Sequence, residues 1–255
     1  MSIELKRSDE FVVLTINRPE ALNALSFAML HEISAALDEV ARSDARALLV
    51  IGAGTKAFCA GADIAELTGR RLMDEKRGAE LGQAVFAKIN TLPMPSVAII
   101  NGYAFGGGLE IALACTFRLA TRNAKMGLPE IKLGLIPGYG GTWRLPRLVG
   151  EARALEITMT GRSVGVEEAE RIGLVNRIIE GDPLEAGMAF AREFTCYSLP
   201  ALGFLRESVS RAATSSLHDG LKTEAALSTL AYETEDAAEG MAAYLEKRKP
   251  QFRDR

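Results

Sequence analysis

Histidine, cysteine and basic tracts are all scarce in this chain of 255 residues, and each scarcity removes a class of function. The two histidines, His31 and His218, fall in helix-prone segments away from every glycine-rich motif, so they read as surface or packing residues rather than acid–base partners. Three cysteines, Cys59, Cys115 and Cys196, make an odd set without CxxC spacing, which disfavours a disulfide framework or structural zinc and suits a reducing compartment. Lysine and arginine number 30 against 33 acids, scattered along the chain, and the net charge of −3 offers no basic field to nucleic acid or an anionic membrane. No apolar run approaches the roughly 20 residues of a membrane span. The opening MSIELKRSDEFVVLTI carries acids too early for a signal or transit peptide, and the closing FRDR is no retention or peroxisomal address, so a cytoplasmic protein is expected.

Apolar residues, by contrast, are plentiful: at 48% of the chain they can build a sizeable core in one domain, or in one large domain with an appendage. FVVLTI (11–16) reads as a strand, 19–41 as a helix and ALLVIGAG (47–54) as a second strand. The rhythm recurs with a helix-prone 64–91, the run PSVAIING (95–102), a glycine-led helix from about 107, and FRLAT (117–121). Beyond Gly138 helix-prone stretches dominate, over 140–148, 151–159, 166–172, 183–197, 199–214 and 218–247, interrupted by the strand-like LVNRII (174–179). An α/β core followed by a helical region is the expected class, with no low-complexity linker and no fixed-period repeat. The charged segment 63–82 reads as a solvated helix or as a lid over a ligand.

Two loops share one design. KAFCAGADI (56–64) and GYAFGGGLE (102–110) each follow a strand-like run, place Gly or Ala where the backbone turns, and lead into a helix. Small residues let a ligand approach the backbone, and a helix start leaves amide N–H groups unpaired and partly positive, so two such amides facing one point can stabilise an oxyanion. Glu110 stands in an apolar frame three residues beyond Gly107, where a helical side chain leans back towards that mouth. Glu130, after Pro129, sits in another apolar stretch before the glycine turn of Gly138, Gly140 and Gly141. Either acid alone could be satisfied by backbone amides, but an unpaired buried carboxyl costs several kcal/mol or takes up a proton, which suits proton transfer.

The motifs FCAGADI, NGYAFGGGLE and GLPEIKLGLIPGYGGTWRL, in this order and spacing, resemble those of the enoyl-CoA hydratase (crotonase) family, and the similarity runs from NRPEALNAL (17–25) to EGMAAYLEKRKPQF (239–252). The resemblance implies a crotonase-like spiral of ββα units over residues 1–195 and a C-terminal helical trimerisation region over 196–255, in a homotrimer or a dimer of trimers. It implies an acyl-CoA thioester as substrate, coenzyme A being part of that substrate, with no separate cofactor, no metal, no nucleic acid and no membrane. By the same resemblance the backbone N–H groups of Ala60 and Gly107 form the oxyanion hole, and Glu110 and Glu130 hold the water. Lys56, Ala62, Asp63 and Ile64 line the nucleotide side of the ligand, Gly138 and Tyr139 the acyl side, and Lys247 or Lys249 of a neighbouring subunit meets a phosphate.

The chain departs from the family pattern at Thr116, where Asp is frequent, at Trp143, where Gln is common, and at Tyr139, a bulky choice inside the glycine turn. The first is expected to affect packing alone and the other two to shape the acyl pocket. Hydration of a trans-2-enoyl-CoA is the expected reaction. A Δ3,Δ2-enoyl-CoA isomerase, which can work with one acid at the Glu130 position, is the nearest rival. An RNA-binding or non-catalytic scaffold is the rival of another class, opposed by the acidic balance and by retention of both acids.

Overall fold

The computed structural model describes residues 2–255, and its first half is a stack of repeated strand–strand–helix units. β1 (Ile3–Ser8) pairs antiparallel with β2 (Phe11–Ile16). A 3-10 turn at Pro19–Ala21 then leads to α1 (Phe27–Val40). Ser26 caps α1 by accepting the Met29 N–H, and Met29, Leu30, Ile33, Leu37 and Val40 recur at helical spacing as its buried stripe. Burying side chains of this kind is worth about 1.5–3 kcal/mol each, so packing rather than intrinsic propensity holds α1 in place.

Three units follow. The first has β3 (Ala47–Gly52), β4 (Ala57–Cys59), α2 (Ile64–Leu67) and α3 (Leu72–Thr91). The second has β5 (Ser96–Ile100), β6 (Tyr103–Phe105) and α4 (Gly107–Ala114). The third has β7 (Phe117–Thr121), β8 (Lys125–Gly127), a 3-10 turn at Glu130–Leu133 and α5 (Gly141–Val149). The first strands enter a six-stranded sheet with β1, β2 and β10 (Arg177–Ile179), ordered β1-β2-β3-β5-β7-β10 and parallel except at β1. The second strands enter a four-stranded sheet ordered β4-β6-β8-β9, where β9 (Val164–Gly165) alone runs antiparallel. Leu25, bridged in parallel to Ala62, stands where a second strand of the β2 unit would fall, so the spiral makes four turns.

Side chains alternate across the larger sheet and both of its faces are buried, as a mostly parallel sheet requires. Leu14, Leu48, Val50, Ala98 and Ile100 face the main core, while Phe11, Val13, Leu49, Val97 and Ile99 face α8 (Pro183–Thr195) through Met188 and Ala191. The repeat leaves no fixed period in the sequence because its helices differ in length, with 14 residues in α1, 20 in α3 and 8 in α4. Two expected helices are broken. Gly69, at φ 77°, interrupts 64–91 between α2 and α3, and Thr234 ends α10 (Leu217–Tyr232) and caps α11 (Glu235–Glu246) by accepting the Ala237 N–H.

α6 (Glu151–Thr160) and α7 (Val166–Arg171) close the core, and the expected boundary after residue 195 falls where α8 gives way to α9 (Leu199–Arg211). Arg46 spans that junction, donating to the carbonyls of Thr195 and Tyr197 at 2.7 Å each and pairing with Asp254. Arg206 of α9 donates to the carbonyls of Leu92 and Met94. Neither α9 nor α10 buries a single residue within the chain. Among the described residues no helix is long and apolar enough to cross a membrane, and no group of His, Cys, Asp and Glu could hold a metal ion.

Candidate active site

Three consecutive glycines open α4, and each has a different task. Gly106 adopts φ 51°, and a Cβ there would stand 2.8 Å from Glu130 Oε1, so backbone and neighbour both exclude a side chain. Gly107 is the first helical residue, and its N–H has no acceptor among the described residues. Gly108 lets α4 press onto β4, since an added Cβ would lie 2.0 Å from the Cys59 carbonyl oxygen.

Glu110, one turn into α4, is 2% exposed. Its Oε1 accepts the N–H of Tyr139 at 2.8 Å and that of Gly141 at 2.7 Å, while Oε2 has no partner among the described residues. Burial lifts its pKa to about 7 against the pull of those two N–H groups; the charge of Glu130 adds to the rise and Arg144 opposes it. Burial raises the Glu130 carboxyl as well, and its Oε2 is sealed from solvent with no hydrogen-bond partner. Burial thus holds both carboxyls above the usual range, and they differ in their partners: Glu110 Oε1 has two N–H donors and a nearby cation, whereas Glu130 Oε2 has no donor.

The expected pair of oxyanion donors needs a correction. Ala60 spends its N–H on the Leu22 carbonyl at 3.0 Å. Two residues on, Ala62 is bridged to Leu25 through the bonds Leu25 N–H to Gly61 C=O at 2.7 Å and Asp63 N–H to Leu25 C=O at 2.8 Å. In a parallel bridge the residue between two such bonds turns its own N–H to the opposite edge. That edge faces the start of α4, for a Cβ on Gly61 would lie 2.9 Å from the Phe105 carbonyl oxygen and 3.7 Å from Gly107 N. Ala62, not Ala60, therefore presents beside Gly107 an amide with no acceptor among the described residues.

Tyr139 is buried, its ring edge-on to Phe86 at 5.6 Å, and a Cβ on Gly82 or Gly107 would come within 2.2 or 3.2 Å of that ring. It thus forms a wall of the gap beside Gly107. Gly138 ties the same turn to α3 by accepting from Gln83 Nε2 at 2.9 Å. Trp143 does not share this position: it is 71% exposed on α5 beside Pro146 and Arg147, because α5 turns its Leu145 and Val149 inward instead. Thr116, just before β7, exchanges hydrogen bonds with Ser96 of β5 at 3.1 and 3.0 Å.

Around the other loop, Lys56 and Ile64 are exposed, but Asp63 is already engaged. It pairs with Arg18 at 2.7 Å and caps α2 through the Ala65 N–H, and the Arg18 hydrogen bond holds its carboxyl below the usual range. Asp63 is a fastener of the loop rather than a free carboxylate for a ligand. Lys247 and Lys249 are exposed, outside any ion pair among the described residues. Sequence reasoning passed over Asn23, wholly buried, whose amide donates to the carbonyls of Ala53 and Ala57 and so braces the same loop. It passed over Arg144 too. A cleft of about 620 Å³ lies elsewhere, at the carboxyl ends of the larger sheet between Thr55, Asn101, Arg122 and Pro183, and neither acid lines it.

A family model described as enoyl-CoA hydratase/isomerase matches residues 6–255. The chain belongs to that family. It is 45% identical over 251 residues to a probable enoyl-CoA hydratase of Bacillus subtilis, covering 96% of each chain. With the crotonyl-CoA hydratase of Syntrophomonas wolfei it shares 40% over 254 residues, 98% of this chain and 97% of that one. The crystal structure of an enoyl-CoA hydratase from Bacillus anthracis matches it with a TM-score of 0.95 at 35% identity, covering 100% of both chains. The spiral of ββα units is thus the crotonase fold.

Proposed function

We propose that this protein is an enoyl-CoA hydratase, adding water across the 2,3 double bond of a trans-2-enoyl-CoA to give a 3-hydroxyacyl-CoA. The observation that carries this reading is the pair of buried carboxyls raised towards the protonated form, Glu110 and Glu130, at one gap beside two amides without an acceptor among the described residues. As water attacks the β-carbon, negative charge gathers on the thioester oxygen, where the N–H groups of Ala62 and Gly107 receive it. Donors of this kind lower such barriers by about 2.7–4 kcal/mol each. Glu110, kept ionisable by Tyr139 and Gly141, takes the proton from water through Oε2, and Glu130 gives one to the α-carbon. Retention of both acids speaks against a non-catalytic or RNA-binding scaffold.

For the ligand, the exposed loop of Lys56 and Ile64 is proposed to meet the nucleotide end, with Tyr139 bounding the acyl end. The proposed assembly is a homotrimer or a dimer of trimers, supported by the apolar residues that α9 and α10 leave uncovered.

The test is loss of enoyl absorbance across a series of acyl lengths and branches, run beside migration of a 3-enoyl double bond. Glu110→Gln and Glu130→Gln should each lower kcat for hydration by at least ~10²-fold, with binding of the CoA ester largely kept. The double variant should lose far less than the product of the single losses, since residues acting as a unit are not additive. Full hydration by Glu110→Gln would end this reading, and intact isomerisation in that variant would favour the isomerase.

A further inference from the structure

The turn that cradles Glu110 is itself held from one side. Arg144, on the first turn of α5, donates from Nη1 to the Tyr139 carbonyl at 2.9 Å and from Nη2 to Asn90 Oδ1 at 3.2 Å. Asn90, near the end of α3, donates in turn from Nδ2 to the carbonyl of Ala114, the last residue of α4, at 3.0 Å. A chain of hydrogen bonds therefore runs from α5 through α3 back to the helix that carries Glu110. The carbonyl that Arg144 grips belongs to the peptide between the two N–H groups that meet on Glu110 Oε1. Gly140 completes the arrangement: it sits at φ 108°, and a Cβ there would lie 2.1 Å from Arg144 Nη1, so the guanidinium fills the space a side chain would take.

We infer that Arg144 is a positioning residue for the general base, fixing the Tyr139–Gly141 turn so that its two N–H groups converge on Glu110. The inference rests on the role given to Glu110 above. The planar fork matters because it bonds two acceptors at once, which a lysine ammonium on a flexible stem does with much less definition. The cation matters as well. Arg144 makes no ion pair among the described residues, so its charge is left to act on Glu110, where it favours the carboxylate. The charged groups facing Glu110 are Glu130 from the 3-10 turn, which works the other way, and Arg144 from α5; Arg147 and Cys115 lie within electrostatic reach of Arg144 itself.

The inference is tested on the full chain with Arg144→Gln, Arg144→Lys and Asn90→Ala, by ¹³C NMR titration of the Glu110 carboxyl, assigned through its loss in Glu110→Gln, together with the pH profile of hydration. Arg144→Gln removes both cation and fork. Its Glu110 midpoint should rise by about half to one pH unit, and kcat at pH 7 should fall roughly tenfold or more while KM moves less than about threefold. Part of the lost rate should return as the pH is raised, which a purely structural defect would not produce. Arg144→Lys keeps the charge, so its midpoint should stay near that of the unaltered protein while kcat stays low. Asn90→Ala frees Nη2 at an exposed position, and a smaller rise in the same direction is expected even where Arg144→Gln fails to fold. An unmoved Glu110 midpoint in folded Arg144→Gln, or in Asn90→Ala where that variant is the one that folds, overturns the inference. Because the NMR titration needs no substrate, an unaltered protein that hydrates no enoyl-CoA would remove the proposed function while the carboxyl midpoint still decides the role of Arg144.

Discussion

Glu110 is a compromise between two opposed pulls, with burial favouring the proton and the amides of Tyr139 and Gly141 favouring the charge. The outcome near 7 has a cost in stability. Because the folded-state pKa stands above the unfolded value of 4.5, the penalty is absent below about pH 4.5 and grows as the pH rises through about 7, to about 3 kcal/mol. Glu110→Gln, which keeps an acceptor for both amides and never ionises, should match the parent in urea denaturation at pH 4.5 and exceed it by up to about 3 kcal/mol at pH 8. A parent whose stability is flat over that range would contradict the shifted carboxyl. Hydration by the parent should fall as the pH drops below about 7 and the base takes up its proton. Gly107→Pro offers a backbone test, since proline is tolerated at the first helical position but lacks the N–H. Turnover should drop at least ~10²-fold with the circular dichroism unchanged, and near-normal turnover would remove Gly107 from the oxyanion site. At this scale the sequence was largely readable: an acid alone among apolar residues announces itself at Glu110 and Glu130. The choice between Ala60 and Ala62 was not, because which amide is free depends on the bridge to Leu25, a contact made across 37 residues of chain.

At the scale of elements, the acids are aligned by how closely α4 lies on the smaller sheet. Gly108→Ala forces a methyl group against the Cys59 carbonyl, which is main chain and cannot swing aside, so a loss of about 1–3 kcal/mol or more is expected in urea denaturation. Gly165→Ala is the control: nothing lies within 4 Å of its added Cβ and its φ is −79°, so a loss of less than about 1 kcal/mol, that of a weaker helix cap, is expected. Equal effects at the two positions would mean that the contact between α4 and β4 is not tight. The strands of the larger sheet were legible as apolar runs, whereas β4, β6 and β8 were not, being three residues each and carrying sequences, AFC, YAF and KMG, in which no alternation can register. β1 escaped because four of the six residues of IELKRS are polar and it pairs at the sheet edge. The helical breaks rest on one residue each, the glycine at Gly69 and the capping threonine at Thr234, inside stretches whose other residues are helix-prone and outweighed them.

For the whole molecule, the uncovered surface is the informative feature. Leu205, Val209, Leu217, Leu221 and Leu230 are each more than half exposed along α9, which Arg206 nonetheless fastens to the core, and α10, which packs on α9. Sedimentation of the purified chain should give a trimer or a multiple of it, and Leu217→Glu with Leu221→Glu should shift it towards smaller species. A fully active monomer would refute the assembly. The spiral also divides the site between two kinds of inheritance. Consecutive turns bring Ala62 and Gly107 together by their main chain, and Glu110 and Glu130 by their side chains. A codon change at Ala62 or Gly107 leaves the hydrogen on its nitrogen unless it encodes proline, whereas one altered base suffices to erase either acid. The two N–H groups are therefore harder for a single base change to remove than the two carboxyls.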